Sequence, residues 1–271
     1  MKVRDLFLEN EELRREDLVF LLCELLDCNP SEIDLQTQLS PAKQALFQGW
    51  AKRLREHEPP QYIIHKSWFY GLEFYVDHRV LIPRYDTESL LEAVMKLLSG
   101  NEKVLEIGLG SGAISITLKH IFPSLDITAT DIDPAAIEIA KHNADRHETP
   151  IRIVQADLFP DFEDRYDLII SNPPYISPDE YNQLSAMVRC YEPRLALYAE
   201  GKGLDFYRRI LAKAEDFLRV DGILAFEHGA TQQNELIGLT EKRGFEILQK
   251  GRDLANRDRF LILKKILNEV F

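Results

Sequence analysis

Residues 104–116, VLEIGLGSGAISI, decide the fold of this chain. Gly108, Gly110 and Gly112 lie where an apolar strand pattern gives way to an apolar stretch with helical spacing. Glycine spacing alone is a weak signal, because many strand-to-helix turns use glycine for a positive φ. A glycine loop between a strand and a helix N-terminus nevertheless lets the backbone approach a ligand closely, as in nucleoside and dinucleotide sites.

The alternation of strand and helix patterns continues to the end of the chain. The predicted strands are 103–109, 126–132, 151–157, 166–172, 222–229, 245–250 and 259–265. The predicted helices are 112–121, 134–146, 203–219 and 231–243. Apolar strands that alternate with helices indicate an α/β fold with a mainly parallel sheet covered on both faces. The last two strands are too close for a helical crossover, so we expect an antiparallel edge strand.

The residues before this region have a different pattern. Leucines in 18–26 follow the spacing of a helix with one apolar face, and Ser40-Pro41 opens a second helix. Residues 68–82 alternate and are rich in aromatic and β-branched residues, which predicts a hairpin with its turn at Asp77-His78. Thr87 is expected to cap the next helix. We therefore expect three regions, namely a small all-α domain (1–66), a β-hairpin linker (67–84) and an α/β catalytic domain (85–271).

Composition and charge exclude several classes of protein. A net charge of −12 over 271 residues argues against broad electrostatic binding of nucleic acid. The three cysteines lack metal-site or disulfide spacing, which predicts reduced thiols and no metal. Acidic residues occupy the N-terminus where a signal peptide is apolar, and no apolar run approaches the ~20 residues of a membrane span. We expect a soluble, cytoplasmic monomer without a membrane or nucleic-acid partner.

Three carboxylates near the ends of successive strands suggest the ligand. Asp131 ends the second predicted strand, where a carboxylate can accept both ribose hydroxyls. Asp157 ends the third, where it can accept from an adenine amino group. Each of these two residues is also compatible with a solvated strand end. Glu106 precedes the first glycine, where its charge disfavours a pyrophosphate but suits the cationic amino and sulfonium groups of S-adenosylmethionine.

The sequence SNPPY, residues 171–175, follows the apolar run of the fourth predicted strand. Two successive prolines remove two N–H donors and push Asn172 toward an extended backbone, so the corner is stiff and offers mainly acceptors. Asn172 Oδ1 and the Pro173 carbonyl can each accept one N–H of a planar substrate NH₂, and Tyr175 can stack on that group. Open α/β sheets bind ligands at this edge. The alternative interpretation is that residues 171–175 form only a turn that ends the strand and have no catalytic role.

The segment 103–172 resembles the Rossmann-like S-adenosylmethionine-dependent methyltransferases, whose seven-stranded, mainly parallel sheet has an antiparallel last strand. NPPY-type motifs occur in methyltransferases that act on adenine N6 or on the side-chain amide of glutamine. Over nearly its whole length the chain resembles the HemK/PrmC family, the N5-glutamine methyltransferases of peptide chain release factors. Four further segments carry this resemblance: EPPQYI (58–63), FYVDHRVLIPRYDTE (74–88), YEPRLAL (191–197) and GRDLANRDRF (251–260).

The resemblance implies roles for specific residues. It implies contacts to S-adenosylmethionine from Gly108, Leu109, Gly110, Ser111, Gly112, Asp131, Leu158 and Asn172, to which the positions of the carboxylates near the strand ends add Glu106 and Asp157. The glutamine of a release factor's GGQ loop is expected to contact Asn172, Pro173, Pro174 and Tyr175, with Asn172, Pro173 and Tyr175 catalytic. The all-α domain is expected to bind the release factor. The chain departs from the family at Tyr85, where proline is usual, and at Leu109 and Ser111, where threonines are common.

Other interpretations of the sequence remain. A ribosomal-protein glutamine methyltransferase would use the same chemistry. An N6-adenine methyltransferase of nucleic acid is disfavoured by the net charge, and a non-catalytic S-adenosylmethionine-binding protein by the intact Asn172 and Tyr175. Glu227-His228, which closes the fifth predicted strand, is expected to help order the pocket, whereas Arg252, Arg257 and Arg259 are most simply a solvated charged face.

Overall fold

A computed structural model describes residues 1–266, and residues 267–271 at the end of the expected catalytic domain lie outside the described part. The chain divides into two compact units. Unit 1 comprises Met1–Lys66 and Ser185–Tyr191, and unit 2 comprises Ser67–Leu184 and the chain from Glu192 onward. Residues 185–191, which the sequence places in the catalytic domain, therefore belong to the N-terminal helical unit.

Unit 1 is helical. Its helices are α1 (Val3–Glu9), α2 (Arg15–Leu26), α3 (Pro41–Arg55), α4 (Pro60–Ile64) and the later α9 (Ala186–Tyr191), with one 3₁₀ turn at Pro30–Glu32. Leucines of α2 pack with Phe47 and Ala51 of α3 in one apolar core. The expected start of α3 is confirmed, because Ser40 Oγ accepts the Lys43 N–H at 3.3 Å. The Tyr191 hydroxyl donates to the Glu56 carbonyl at 2.7 Å and so fixes α9 to the end of α3.

A two-stranded hairpin follows, formed by β1 (Lys66–Phe69) and β2 (Leu72–Tyr75). Its turn is Tyr70-Gly71, with φ of 49° and 79°, so the predicted turn at Asp77-His78 is wrong. Two-residue hairpin turns favour positive φ, which glycine adopts without strain. Asp77 instead accepts the backbone N–H of Arg79 at 3.0 Å and pairs with its guanidinium.

Unit 2 is built on a seven-stranded sheet of order β5-β4-β3-β6-β7-β9-β8. Its strands are β3 (Lys103–Ile107), β4 (Asp126–Asp131), β5 (Arg152–Gln155), β6 (Tyr166–Ser171), β7 (Leu218–Glu227), β8 (Phe245–Arg252) and β9 (Asp258–Lys265). The pairs from β5 to β7 are parallel, and β9 is antiparallel to both β7 and β8. The predicted sheet and its antiparallel last strand are confirmed. However, β9 inserts between β7 and β8, so β8 rather than β9 forms the edge.

The helices of unit 2 connect these strands. They are α5 (Tyr85–Met95), α6 (Ala113–Ile121), α7 (Pro134–Arg146), α12 (Asp205–Phe217) and α13 (Gln233–Glu241), together with the short turns α8 (Pro178–Tyr181), α10 (Arg194–Leu197) and α11 (Glu200–Gly203). Thr87 is not the cap of α5, because the helix already begins at Tyr85 with Arg84 as its N-cap. Thr87 is the third residue of α5 and is buried.

The main core of unit 2 lies on the sheet under α12 and α13. Its largest side chains include Tyr166, Tyr207, Phe226 and Phe245, all nearly inaccessible. Tyr207 of α12 also donates its hydroxyl to the Glu227 carbonyl at 2.8 Å, which fixes the helix to the last residue of β7. Within residues 1–266, no helix is both long and apolar enough to cross a lipid bilayer.

Candidate active site

A cavity of about 260 Å³ opens at the carboxyl ends of β3, β4 and β6. Most of the residues singled out from the sequence line it: Glu106, Gly108, Leu109, Gly110, Ser111, Asp131, Asp157, Leu158, Asn172, Pro173 and Pro174. Gly112 and Tyr175 are not among the lining residues. The parallel sheet explains this convergence, because loops that follow neighbouring parallel strands emerge at the same edge.

The glycine loop leaves room for a ligand. Gly108 and Gly110 have φ of +81° and +54°, and a Cβ built on either would meet no atom within 4 Å. Gly112 has a different role, because a Cβ there would lie 2.6 Å from Ile116 Cδ1 of α6. The first two glycines therefore face open space at the start of α6, and the third allows the loop to pack on the helix.

Asp131 holds the glycine loop against the end of β4. Its Oδ2 accepts the Gly110 N–H at 2.8 Å, and its Oδ1 accepts the Asp133 N–H at 3.0 Å. Burial raises the pKa of Asp131, an effect that these two hydrogen bonds oppose. The carboxyl group is thus fixed at the cavity wall, where the sequence predicts contact with ribose hydroxyls.

Glu106 is buried beneath the loop, with 1% of its surface exposed. Its Oε2 accepts the Ser115 N–H at 3.0 Å and also the Ser115 hydroxyl. Burial raises the pKa of Glu106 to about 8. At neutral pH the group is therefore mostly protonated, and its contacts anchor the first turn of α6. This geometry differs from the expected attraction of a fixed negative charge for a cationic ligand.

Asp157 and Leu158, which follow β5, also line the cavity. β5 ends at Gln155, and the exposed Asp157 accepts hydrogen bonds from Arg209 Nη2 of α12 with both oxygens, at 2.7 and 2.6 Å. The carboxylate expected to bind an adenine amino group is thus paired with a guanidinium. Leu158 has φ of 71°, and its carbonyl accepts the Thr130 hydroxyl at 2.6 Å, which holds this loop to β4.

The Asn-Pro-Pro-Tyr corner after β6 is clamped from three sides. The Ser171 hydroxyl donates to the Ile107 carbonyl at 2.7 Å, and Gln232 Nε2 donates to the Tyr175 carbonyl at 2.9 Å. Gly203 lies so close that a Cβ on it would be 2.1 Å from the same Tyr175 oxygen. Ser177 and Glu180 form a capping box that starts α8 directly behind the corner. These contacts fix the backbone before any substrate arrives.

Asn172 Oδ1 and the Pro173 carbonyl are the two oxygens of the corner that the sequence predicts as acceptors for a substrate. Asn172 Nδ2 donates to Thr87 Oγ1 at 3.1 Å, so the NH₂ end of this carboxamide is engaged inside the protein. Among residues 1–266, none donates a hydrogen bond to Asn172 Oδ1 or to the Pro173 carbonyl. Both residues line the cavity. A planar NH₂ group at this wall would therefore find two acceptor oxygens.

Tyr175 is held by contacts with the core of unit 2 and with Glu227. Its half-buried ring packs against the main core of unit 2, and its hydroxyl donates to Glu227 Oε1 at 3.2 Å. Burial and the nearby Glu227 raise the pKa of Tyr175 far above its usual value, so the hydroxyl stays protonated. Stacking of this ring on a substrate stays a prediction.

Two residues near the corner, Thr87 and Arg259, were not identified as site residues from the sequence. Thr87 donates its hydroxyl to Glu227 Oε2 at 2.5 Å. Arg259 is buried rather than solvated and donates to Asp253 Oδ2 at 2.8 and 3.1 Å and to the His228 carbonyl at 3.3 Å. The expectation that Glu227 orders the pocket agrees with its contacts to Thr87 and Tyr175. Thr87 and Arg259 lie in two of the segments that carry the family resemblance.

Comparison with known proteins identifies relatives of both units. A family model described as the PrmC N-terminal domain matches residues 4–64, and one described as a methyltransferase small domain matches residues 85–202. A protein of Geobacter sulfurreducens named release factor glutamine methyltransferase is 38% identical over 214 residues, which cover 79% of this chain and 75% of that protein. A protein of Clostridium acetobutylicum with the same name is 32% identical over 279 residues, covering 97% and 98%.

Solved structures share the fold of the chain at lower identity. A methyltransferase from Pyrococcus furiosus superposes with a TM-score of 0.57 at 20% identity, covering 84% of this chain and all of that one. A ribosomal protein L11 methylase from Lactobacillus delbrueckii subsp. bulgaricus gives a TM-score of 0.53 at 18% identity, covering 69% and 81%. At these identities the likeness shows the methyltransferase fold.

Proposed function

The chain belongs to the release factor glutamine methyltransferase family, and we propose that it transfers a methyl group from S-adenosylmethionine to the side-chain amide nitrogen (N5) of a release-factor glutamine, that of the GGQ motif. The observation that carries this proposal is that Asn172 and Pro173 line the same cavity as the glycine loop, while Asn172 Oδ1 and the Pro173 carbonyl accept no hydrogen bond from any residue of 1–266. A primary carboxamide has two N–H groups in one plane, and two fixed acceptors match them.

The residues at the other end of the cavity fit S-adenosylmethionine. The open space above Gly108 and Gly110 admits a nucleoside close to the backbone, and the Asp131 carboxyl suits ribose hydroxyls. S-adenosylmethionine supplies an electrophilic methyl group on a cationic sulfur. We propose that the protein orients this group toward Asn172 and that Leu158 contributes to the wall around the adenine.

The two acceptors address the weakness of an amide as a nucleophile. Its nitrogen lone pair is delocalised, so attack requires alignment and stabilisation of the positive charge that develops on nitrogen. A hydrogen bond contributes about 1 kcal/mol between neutral groups and about 1.5–3 kcal/mol to a charged one. Two such bonds therefore favour the transition state by about 1–4 kcal/mol, or roughly 5- to 900-fold. Alignment of two reactants is worth more, about 7–11 kcal/mol.

The bond changes balance without a base on the protein. The glutamine nitrogen forms its bond to the methyl carbon while the bond from that carbon to sulfur breaks, and S-adenosylhomocysteine leaves. The nitrogen then carries an extra proton that is strongly acidic and departs to water after the transfer. Asn172 and Pro173 hold the NH₂ group throughout, and the prolines keep competing N–H donors away from it.

We propose further that residues 1–66 form the domain that binds the release factor and that 85–271 form the catalytic domain, joined by the linker 67–84. The match of residues 4–64 to the PrmC N-terminal domain supports a dedicated role for the helical unit. We also propose that the enzyme acts as a monomer, which light scattering on the purified protein tests directly.

Incubation with labelled S-adenosylmethionine tests the proposed function. Separate reactions contain purified release factor, ribosomal proteins or DNA, and label on the release-factor glutamine is expected. Label on DNA or ribosomal protein alone would refute the assignment. The Asn172→Ala variant is expected to lose nearly all transfer and to keep the affinity for S-adenosylmethionine within about threefold. The exposed Asn101 provides a matched control, and Asn101→Ala should be as active as the wild type.

A further inference from the structure

We propose that Thr87 is a positioning residue that, together with Glu227, determines which end of the Asn172 carboxamide faces the substrate. This inference rests on the proposed function for its consequence in catalysis, but its structural content is independent of it. Thr87 and Glu227 come from α5 and from the last position of β7, elements that the fold brings together beside the corner after β6.

The direction of the hydrogen bonds decides the orientation. The Thr87 hydroxyl has one proton, and it donates this proton to Glu227 Oε2 at 2.5 Å. Only lone pairs are then left to face Asn172, so Thr87 can accept from Nδ2 but cannot donate to Oδ1. The observed contact of 3.1 Å from Asn172 Nδ2 to Thr87 Oγ1 has this polarity. As a result, Oδ1 points away from Thr87 and is available for a substrate N–H.

The opposite orientation would oppose the reaction. A carboxamide rotated by half a turn would present its NH₂ to the substrate NH₂, so two donors would face each other and one acceptor would be lost. The shape of the side chain does not prevent this rotation, because the two ends of a carboxamide are nearly equal in size. The hydrogen bonds that link Glu227, Thr87 and Asn172 distinguish the two ends of the carboxamide, which their shape does not.

Glu227 is surrounded by groups that act on its charge. Tyr175 donates to Oε1 from the corner, Arg259 of β9 lies nearby as the favourable cation, and Asp86 of α5 opposes a negative charge. Tyr207 of α12 donates its hydroxyl to the Glu227 carbonyl. Burial is the largest effect and raises the pKa of Glu227 to about 7. A protonated Glu227 can donate to Thr87, and Thr87 can then donate to Asn172 Oδ1. The direction of both hydrogen bonds would then be reversed.

Three substitutions separate this role from mere packing. Thr87→Val keeps the shape and removes the hydroxyl, Thr87→Ser keeps the hydroxyl, and Thr117→Val makes the same change at a buried threonine of α6 whose hydroxyl has no hydrogen-bond partner within residues 1–266. We expect kcat/KM for the release factor to fall about 10- to 100-fold in Thr87→Val and to stay within about threefold of wild type in the other two. The Kd for S-adenosylmethionine should change by less than about threefold in all three. Full activity of Thr87→Val, or equal losses in Thr87→Val and Thr87→Ser, would overturn the proposal.

A second measurement does not require activity. In ¹⁵N-labelled protein, the Asn172 side-chain NH₂ resonances are identified by their loss in Asn172→Ala. They should shift between pH 6 and pH 8 in the wild type and in Thr117→Val, and this titration should vanish in Thr87→Val. If the wild type methylates no release factor, the proposed function fails while this experiment still decides the inference. Asn172 resonances with the same pH dependence in Thr87→Val as in the wild type would disprove the link.

Discussion

Replacement of Glu106 by glutamine should change how the stability of the protein depends on pH. The glutamine side chain has nearly the same shape, and its oxygen can still accept both hydrogen bonds from Ser115. It cannot ionise. The variant therefore isolates the free energy that a buried, titrating carboxyl contributes to folding.

The size of the effect follows from the pKa of Glu106, which burial raises from 4.5 to about 8. Between these two values the folded state holds a proton that the unfolded state has lost, so the free energy of unfolding falls as pH rises. From pH 6 to pH 8, the wild type should lose about 2 kcal/mol through this group alone. The other buried acids are common to both proteins, and their contributions cancel in the comparison.

Urea denaturation of the ligand-free proteins at pH 6, 7 and 8 measures the difference. We expect the wild-type stability to fall by about 2 kcal/mol more than that of Glu106→Gln over this range. Glu241→Gln, at an exposed position at the end of α13, is the control and should follow the wild type. Parallel curves for wild type and Glu106→Gln would mean that Glu106 is already ionised in the folded protein at pH 6, and the reasoning would be wrong.

Three further substitutions test the loop and the corner. Gly110→Val places a branched side chain at a φ of +54° and into the cavity, so calorimetry should show S-adenosylmethionine binding weakened by about 10- to 100-fold. Asp131→Asn should weaken the same binding by a similar factor, roughly 10- to 100-fold, because an amide accepts from ribose hydroxyls less strongly than a carboxylate; unchanged affinity would exclude the ribose contact. Gly203→Ala brings a Cβ to 2.1 Å from the Tyr175 carbonyl, so urea denaturation should show a loss of about 2–4 kcal/mol; a loss under 1 kcal/mol would show that the corner yields. Gly49→Ala, where a Cβ in α3 meets no atom within 4 Å, should instead increase stability by about 0.5–1 kcal/mol.

The features that could be predicted from the sequence are those encoded over short distances. The glycine loop of 108–112, the apolar strands and the two prolines at 173–174 each constrain the local backbone strongly. Once the strands are parallel, their carboxyl ends must meet, so the convergence of Asp131, Asn172 and the glycine loop follows without knowledge of any side-chain contact. The cavity therefore lies where the strand pattern places it.

The features that were missed depend on contacts between distant parts of the chain. Thr87 has the sequence signature of a helix cap, and only the presence of Glu227 beside it gives its hydroxyl another partner. Arg259 belongs to a charged segment that would normally be solvated, but Asp253 and the His228 carbonyl make its burial favourable. Likewise, the hairpin turn falls at Gly71, because glycine adopts the required positive φ. From the sequence alone, Asp77-His78 is an equally plausible turn.

The short helix α9 has a consequence for any attempt to divide this protein. The polypeptide crosses between the two units at three places, after Lys66, after Leu184 and after Tyr191. A truncation that removes only the first 66 residues would remove Glu56, the hydrogen-bond partner of Tyr191. It would also leave residues 185–191 in the remaining chain without the rest of the helical unit to which they belong. An exchange of the helical unit between relatives would therefore have to replace two separate stretches of the sequence, 1–66 and 185–191, at the same time.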